Sequence, residues 1–208
     1  MAEAMTNRRP TLMLIIASVR PGRAGLPVGR WFHDLAAAQG GFALEWVDLL
    51  ELNLPFMNEP EHPRLARYTH AHTKAWSARV ADADAFVFVM PEYNYGFGAP
   101  LKNAIDYLCR EWQYKPVGFV SYGGVAAGTR AVQMLKPVVT ALKMAAVTEA
   151  VQIPYVQRHI DDQGTFLADD ALTTSAHTML AELLRWDQAL HPLRSSPADG
   201  HTPARPPA

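Results

Sequence analysis

The sequence predicts an α/β domain: an open, doubly wound parallel sheet with helices on both faces. Three observations carry that expectation. Short β-rich apolar runs alternate along the chain with longer segments of helical period. Three of the five runs are nearly continuous in apolar residues, as central parallel strands covered on both faces must be. Strict strand–helix alternation implies right-handed crossovers, which lay the strands parallel and distribute the helices over both faces. At 208 residues and 23.0 kDa the chain is long enough for one full domain of this kind.

The strands are expected over residues 11–17 (TLMLIIA), 42–47 (FALEWV), 85–90 (AFVFVM), 117–122 (VGFVSY) and 146–153. The first, third and fourth are the nearly continuous runs. Helices are expected between and after them, over residues 26–38, 65–81, 99–112, 129–144 and 169–190. In the third of these, Leu101, Ile105 and Leu108 share one face with Ala104 beside them, an ordinary core stripe. Trp112 and Tyr114 read as interface or core aromatics, and Cys109 as a small hydrophobe in mid-helix.

Outside residues 10–191 the composition changes. Residues 1–9 show no periodicity, and residues 192–208 hold five of the 16 prolines with serines, an aspartate and a glycine. Neither stretch has the apolar surface to offset the entropy of ordering, so both are expected to be flexible termini. The apolar run at residues 12–17 is broken by Arg20 and falls far short of the roughly 20 residues a membrane span needs. Arg8 and Arg9 precede too short an apolar stretch to be an export signal.

Composition excludes several function classes. A net charge of −1, with no basic block, supplies no field to concentrate nucleic acid or an acidic membrane surface. One cysteine cannot form an internal disulfide or a multi-cysteine metal site, which points to a reducing, cytoplasmic setting. His62, His70 and His72 lie close in sequence, but His70 and His72 are two apart on an expected helix and no set of ligands completes them. No metal is expected.

In a doubly wound sheet, ligands bind beyond the carboxyl ends of the strands where strand order reverses. The loops after the first, third and fourth strands are therefore the ones to read. The first, residues 18–25 (SVRPGRAG), leads from a strand through a glycine turn into a helix N-terminus. Free N–H groups and the positive helix end attract a phosphate there, and Ser18, Arg20 and Arg23 add stronger, charge-assisted hydrogen bonds. It has neither the Gly-Lys-Ser/Thr of a nucleotide-hydrolase loop nor the GxGxxG of a dinucleotide fold. A surface turn with solvated arginines is the plainer alternative.

The second loop, residues 91–100 (PEYNYGFGAP), places Tyr93, Tyr95 and Phe97 at the mouth of a buried strand. A flat conjugated ligand would explain them, with Asn94 and backbone amides at its polar edges. Core capping or a subunit interface would explain them as well. The third loop, residues 121–130 (SYGGVAAGTR), lets the chain lie flat against a ligand. Ser121 is no hydrolase nucleophile, because Phe119 stands where the nucleophile elbow needs a glycine.

Together these loops resemble the NADPH-dependent FMN reductase family of flavodoxin-like proteins, which includes quinone, azo-dye and chromate reductases. The most specific elements are Pro91-Glu92-Tyr93-Asn94 and the following Leu101-Lys102-Asn103-Ala104-Ile105-Asp106, with the Ser-Val-Arg and Ser-Tyr-Gly-Gly loops in order around them. The resemblance implies a flavodoxin-like fold, five parallel strands in the order 2-1-3-4-5. It also implies an FMN phosphate cradle of Ser18, Arg20 and Arg23 with the amides near Gly25 and Leu26. Pro91, Glu92, Tyr93, Asn94 and Tyr95 would line the isoalloxazine and ribityl chain, and Ser121, Gly123 and Gly124 would close the other edge of the ring.

Two departures stand out: Ala17 where many relatives have glycine, and residues 96–100 in place of a commoner serine and Pro-Gly pattern. The second borders the open face of the flavin, so it bears on the substrate more than on FMN. The implied activity is NADPH- or NADH-driven reduction of a small oxidant (a quinone, azo or nitro compound or metal oxyanion) or of free flavin, in ping-pong order and without a protein acid or base. A homodimer or dimer of dimers is also implied, packed through the helices after the second and third loops. A flavodoxin-type electron carrier fits the fold but not the near-neutral charge. A non-catalytic flavin-binding regulatory protein is the third reading.

Overall fold

The computed structural model describes residues 8–195. Five parallel strands, β1 (Thr11–Ile16), β2 (Ala43–Asp48), β3 (Ala85–Pro91), β4 (Pro116–Tyr122) and β5 (Ala145–Ile153), form one sheet in the order β2-β1-β3-β4-β5. This is the flavodoxin-like order that the sequence implied. Among the described residues, six α-helices connect and follow the strands: α1 (Gly25–Gln39), α2 (Leu49–Leu52), α3 (Ala71–Asp82), α4 (Ala99–Asp106), α5 (Thr129–Ala141) and α6 (Asp170–Ser195).

Strand side chains alternate between the two faces, so each central strand serves two cores. Met13, Ile15, Phe86, Phe88 and Phe119 pack with Trp76 of α3, Ile105 of α4 and Leu135 of α5. Leu12, Leu14, Ile16, Val87 and Val120 pack with Phe32 of α1 and with Met179 and Leu183 of α6. Every residue of β3 and β4 is buried. Full burial of each large apolar side chain contributes about 1.5–3 kcal/mol. The middle of the sheet is thus a rigid floor for the loops at its carboxyl end.

Several boundaries differ from the sequence reading, each for a local reason. The helix expected over residues 99–112 stops at Asp106. The Glu111 carboxylate takes the Cys109 N–H at 3.2 Å, and the indoles of Trp76 and Trp112 donate to Ala104 O and Ile105 O at 2.9 and 3.1 Å. Side chains thus satisfy the carbonyls that a continuing helix would have used. Trp112 is a core residue, and Cys109 lies beyond the helix, partly exposed. The helix expected from residue 65 starts at Ala71, after Ala66 has taken a left-handed φ of 53°.

The His70 and His72 rings, two apart in sequence, stack with centroids 5.1 Å apart, each bonded to Asn58. At the other end, α6 runs to Ser195, past the boundary at residue 191. Arg194 anchors it by donating to Asp84 O and Tyr114 O, both at 3.2 Å, and to the Asp187 carboxylate. The rest of the two expected flexible termini, residues 1–7 and 196–208, lies outside the described residues.

Candidate functional site

The carboxyl ends of β1, β3 and β4 bring the three loops around one cleft of about 150 Å³. Ser18, Arg20 and Arg23 line it from the first loop, Pro91, Glu92 and Tyr93 from the second, and Gly123 from the third. Tyr122, Val156 and Gln157 complete the lining.

The first loop turns at residues 20–23, closed by Arg23 N–H donating to Arg20 O at 3.2 Å, with Gly22 at a left-handed φ of 67°. α1 then begins without a side-chain cap and without an acidic residue in its first turn. Its positive end is therefore open to an anion. Ser18 is buried, and its hydroxyl pairs with Tyr93 Oη at 2.9 Å, tying the first loop to the second. Arg20 is exposed at the cleft. Arg23 is different: its Nη2 is paired with the buried carboxylate of Asp48, which also accepts from Leu50 N–H at 2.9 Å. Asp48 therefore caps α2 and aims Arg23 at once. Gly25 and Leu26 sit in the first turn of α1, and a Cβ on Gly25 would lie 2.5 Å from Tyr122 Oη.

In the second loop, Tyr93 N–H donates to Gly96 O at 2.8 Å and Gly96 N–H to Tyr93 O at 2.9 Å. Between them Asn94 and Tyr95 have φ of 48° and 69°, as in a type I′ turn. A tyrosine with positive φ needs outside support. Arg130 supplies it, with its guanidinium carbon 3.8 Å from the Tyr95 ring centroid. Glu92 fixes that arginine in turn. Its carboxylate accepts from Arg130 Nε at 2.6 Å and from Arg130 N–H at 3.2 Å, capping α5 from the neighbouring loop. Glu92 is thereby committed to Arg130. Tyr93 and Tyr95 remain 41% and 65% exposed, leaving aromatic surface for a flat ligand.

The third loop departs most from the sequence reading. Ser121 is fully buried and its hydroxyl donates to Ala127 O at 2.8 Å, so it holds the loop from inside rather than facing the cleft. Its neighbour Tyr122 points to the opposite face of β4 and does line the cleft. Strand alternation was the available signal: residues 121 and 122 cannot both face one side. Burial pushes the Tyr122 hydroxyl pKa up, with Tyr93 nearby adding to the shift, so it stays a neutral donor. Gly123 O and Gly124 O accept from Val156 N–H and Tyr155 N–H at 3.2 and 3.1 Å, which brings the turn after β5 over the cleft.

This donor set fits a phosphate monoester: an uncapped helix N-terminus, Arg20 at the cleft and a buried, unpartnered Tyr122 hydroxyl. The exposed tyrosines fit a flat ring beside it. Fold and site together define a flavodoxin-like protein whose cleft fits a phosphate-bearing ligand with a flat ring. The matches to known proteins specify it further. Residues 10–157 match the family described as NADPH-dependent FMN reductase, and the chain belongs to that family.

The chain is 42% identical over 144 residues to an NAD(P)H-dependent FMN reductase of Schizosaccharomyces pombe, covering 68% of this chain and 72% of that one. It is 36% identical over 101 residues to an NAD(P)H:quinone oxidoreductase of Solanum tuberosum, covering 47% and 50%. The flavoenzyme NAD(P)H:(acceptor) oxidoreductase FerB of Paracoccus denitrificans superposes with a TM-score of 0.67 at 20% identity, over 86% of this chain and 98% of that one, a likeness of fold. The protein is therefore an oxidoreductase of the FMN- and NAD(P)H-dependent class.

Proposed function

We propose that this protein uses NADPH or NADH to reduce a small oxidant of the quinone type, or free flavin, in ping-pong order. The observation that carries this reading is the single cleft in which phosphate donors at the α1 N-terminus adjoin exposed aromatic surface on the second loop. Bound FMN would supply the acceptance of hydride and its onward transfer.

The chain's own residues bind and orient. Ser18, Arg20, Arg23 and the amides of Gly25 and Leu26 hold the phosphate. Pro91, Glu92, Tyr93, Asn94 and Tyr95 carry the ring and ribityl side, and Gly123 and Gly124 form the opposite edge. Azo and nitro compounds and metal oxyanions belong to the same acceptor class. Steady-state oxidation of NADPH or NADH with a quinone tests the reading. Turnover supports it, and a bound flavin that neither donor reduces would overturn it.

Arg20 gives a sharper test. Arg20→Ala is expected to weaken FMN by about 1.5–3 kcal/mol, the contribution of a charged hydrogen bond, read as a roughly 10- to 150-fold rise in Kd. An unchanged Kd would make Arg20 a solvated loop residue.

A homodimer or dimer of dimers belongs to the same reading. Its support is a groove of about 600 Å³ between the 57–64 segment, α4 and α5, with Leu108, Val138 and Leu142 among its lining. Sedimentation is expected to show a multiple of the 23.0 kDa chain; a monomer at working concentration contradicts it. A reducing, cytoplasmic setting rests on the single cysteine.

A further inference from the structure

Among the described residues, three buried side-chain polar atoms lack a hydrogen-bond partner: Arg23 Nε, Thr73 Oγ1 and Tyr122 Oη. Thr73 lies in the first turn of α3 beside Glu59. The other two belong to residues of one cleft. Orphaned buried donors are costly, and native proteins retain few of them.

Neither of the pair is free to turn to water. The Arg23 side chain is 10% exposed, and its Nη2 is fixed by Asp48, which fixes the plane of the guanidinium and with it the Nε–H direction. Tyr122 is 5% exposed, its ring packed among the β1, β3 and α1 core residues. Its hydroxyl lies against the first turn of α1, close to the Gly25 amide and to Ser18, yet makes no well-formed hydrogen bond with either. Only a glycine leaves it room there. A tyrosine has an apolar isostere in phenylalanine, which would fill the same space without the penalty. An unmatched hydroxyl held in place at a helix N-terminus is therefore suited to a ligand acceptor.

We infer that the Tyr122 hydroxyl, together with Arg23 Nε from the same cleft, donates to the phosphate of the flavin and makes the site select FMN over riboflavin. The inference rests on the reading of the cleft as the FMN site and adds to it a specificity-determining residue. Riboflavin offers no phosphate oxygens, so both buried donors stay unmatched when it binds. Unmade buried hydrogen bonds are the strongest basis for rejecting an analogue that lacks one group.

The test is Tyr122→Phe, with thermal unfolding of the flavin-free protein and titration of FMN and riboflavin by quenching of flavin fluorescence. The flavin-free variant is expected to melt at or above the wild-type temperature, because an orphaned hydroxyl is gone. Its Kd for FMN is expected to rise about tenfold or more while its Kd for riboflavin is unchanged. A merely structural tyrosine would give the opposite pattern: a lower melting temperature and an unaltered FMN-to-riboflavin ratio. That ratio, unaltered, overturns the inference.

The wild-type protein supplies a second arm that needs no variant. If it binds riboflavin as tightly as FMN, the selection by Tyr122 is overturned while the flavin site stands. If it binds neither flavin, the reading of the cleft falls, and the inference with it.

Discussion

Gly128→Ala is expected to destabilise the protein by about 3 kcal/mol and to disrupt the third loop of the site. Gly128 has a φ of 80°, the left-handed region, where an alanine costs about 1–2 kcal/mol by itself. A Cβ there would lie 2.8 Å from Tyr122 N, 2.9 Å from Ser121 Cβ and 3.0 Å from Tyr122 O. Two of those neighbours are backbone atoms of the central strand β4 and cannot yield without pulling β4 from β3. For a domain of this size the loss corresponds to a fall in melting temperature of roughly 6–12 °C.

FMN affinity should fall in the same variant, because the displaced Tyr122 and Gly123 both line the cleft. Gly124 is the control, since nothing lies within 4 Å of a Cβ there. Gly124→Ala is expected to stay within about 0.5 kcal/mol of wild type. Equal melting of the two variants would show that the Gly128 turn is not held as described.

Arg23→Ala is expected to cost at least as much. It removes one partner of a buried ion pair and leaves the Asp48 carboxylate, 1% exposed, with only the Leu50 amide as a donor. Breaking such a pair from one side costs about 3–5 kcal/mol, because a charge stays buried without a partner. Combining Arg23→Ala with Asp48→Asn is expected to restore most of that loss. The amide oxygen can still accept from Leu50, and the stranded charge is gone. FMN binding should remain weak in the double variant, since the Nε donor is absent in both. Unfolding midpoints of the two single variants and the double variant decide it. A double variant as unstable as the sum of the singles would mean that the pair is not coupled.

Much of the sheet was legible in the sequence because central parallel strands must be apolar on both faces. The runs at residues 11–17 and 85–90 show this without help from any neighbour. The same alternation bears on the third loop. It assigns Ser121 and Tyr122 to opposite faces, and the glycine at residue 25 is the complement of the tyrosine. The short α2 also had a signal, with Asp48 at its N-cap and Glu51 three residues later.

Other features depend on partners distant in sequence. Arg23 turns to Asp48 across 25 positions, and α4 ends where Trp76, 28 residues before Ala104, reaches its carbonyl. Glu92 reads as a ligand-facing acid by its position in the motif. Its commitment to Arg130, 38 residues on, appears only when the two loops meet.

In the proposed reaction the cleft at the ends of β1, β3 and β4 holds FMN, and NAD(P)H reduces it there. The most direct measurement is visible absorption of the purified protein during titration with FMN, followed by anaerobic addition of NADPH or NADH. Saturable binding at micromolar FMN and bleaching of the flavin band on adding a donor are expected. No binding at micromolar FMN, or a bound flavin that neither donor bleaches, would contradict the proposed reaction.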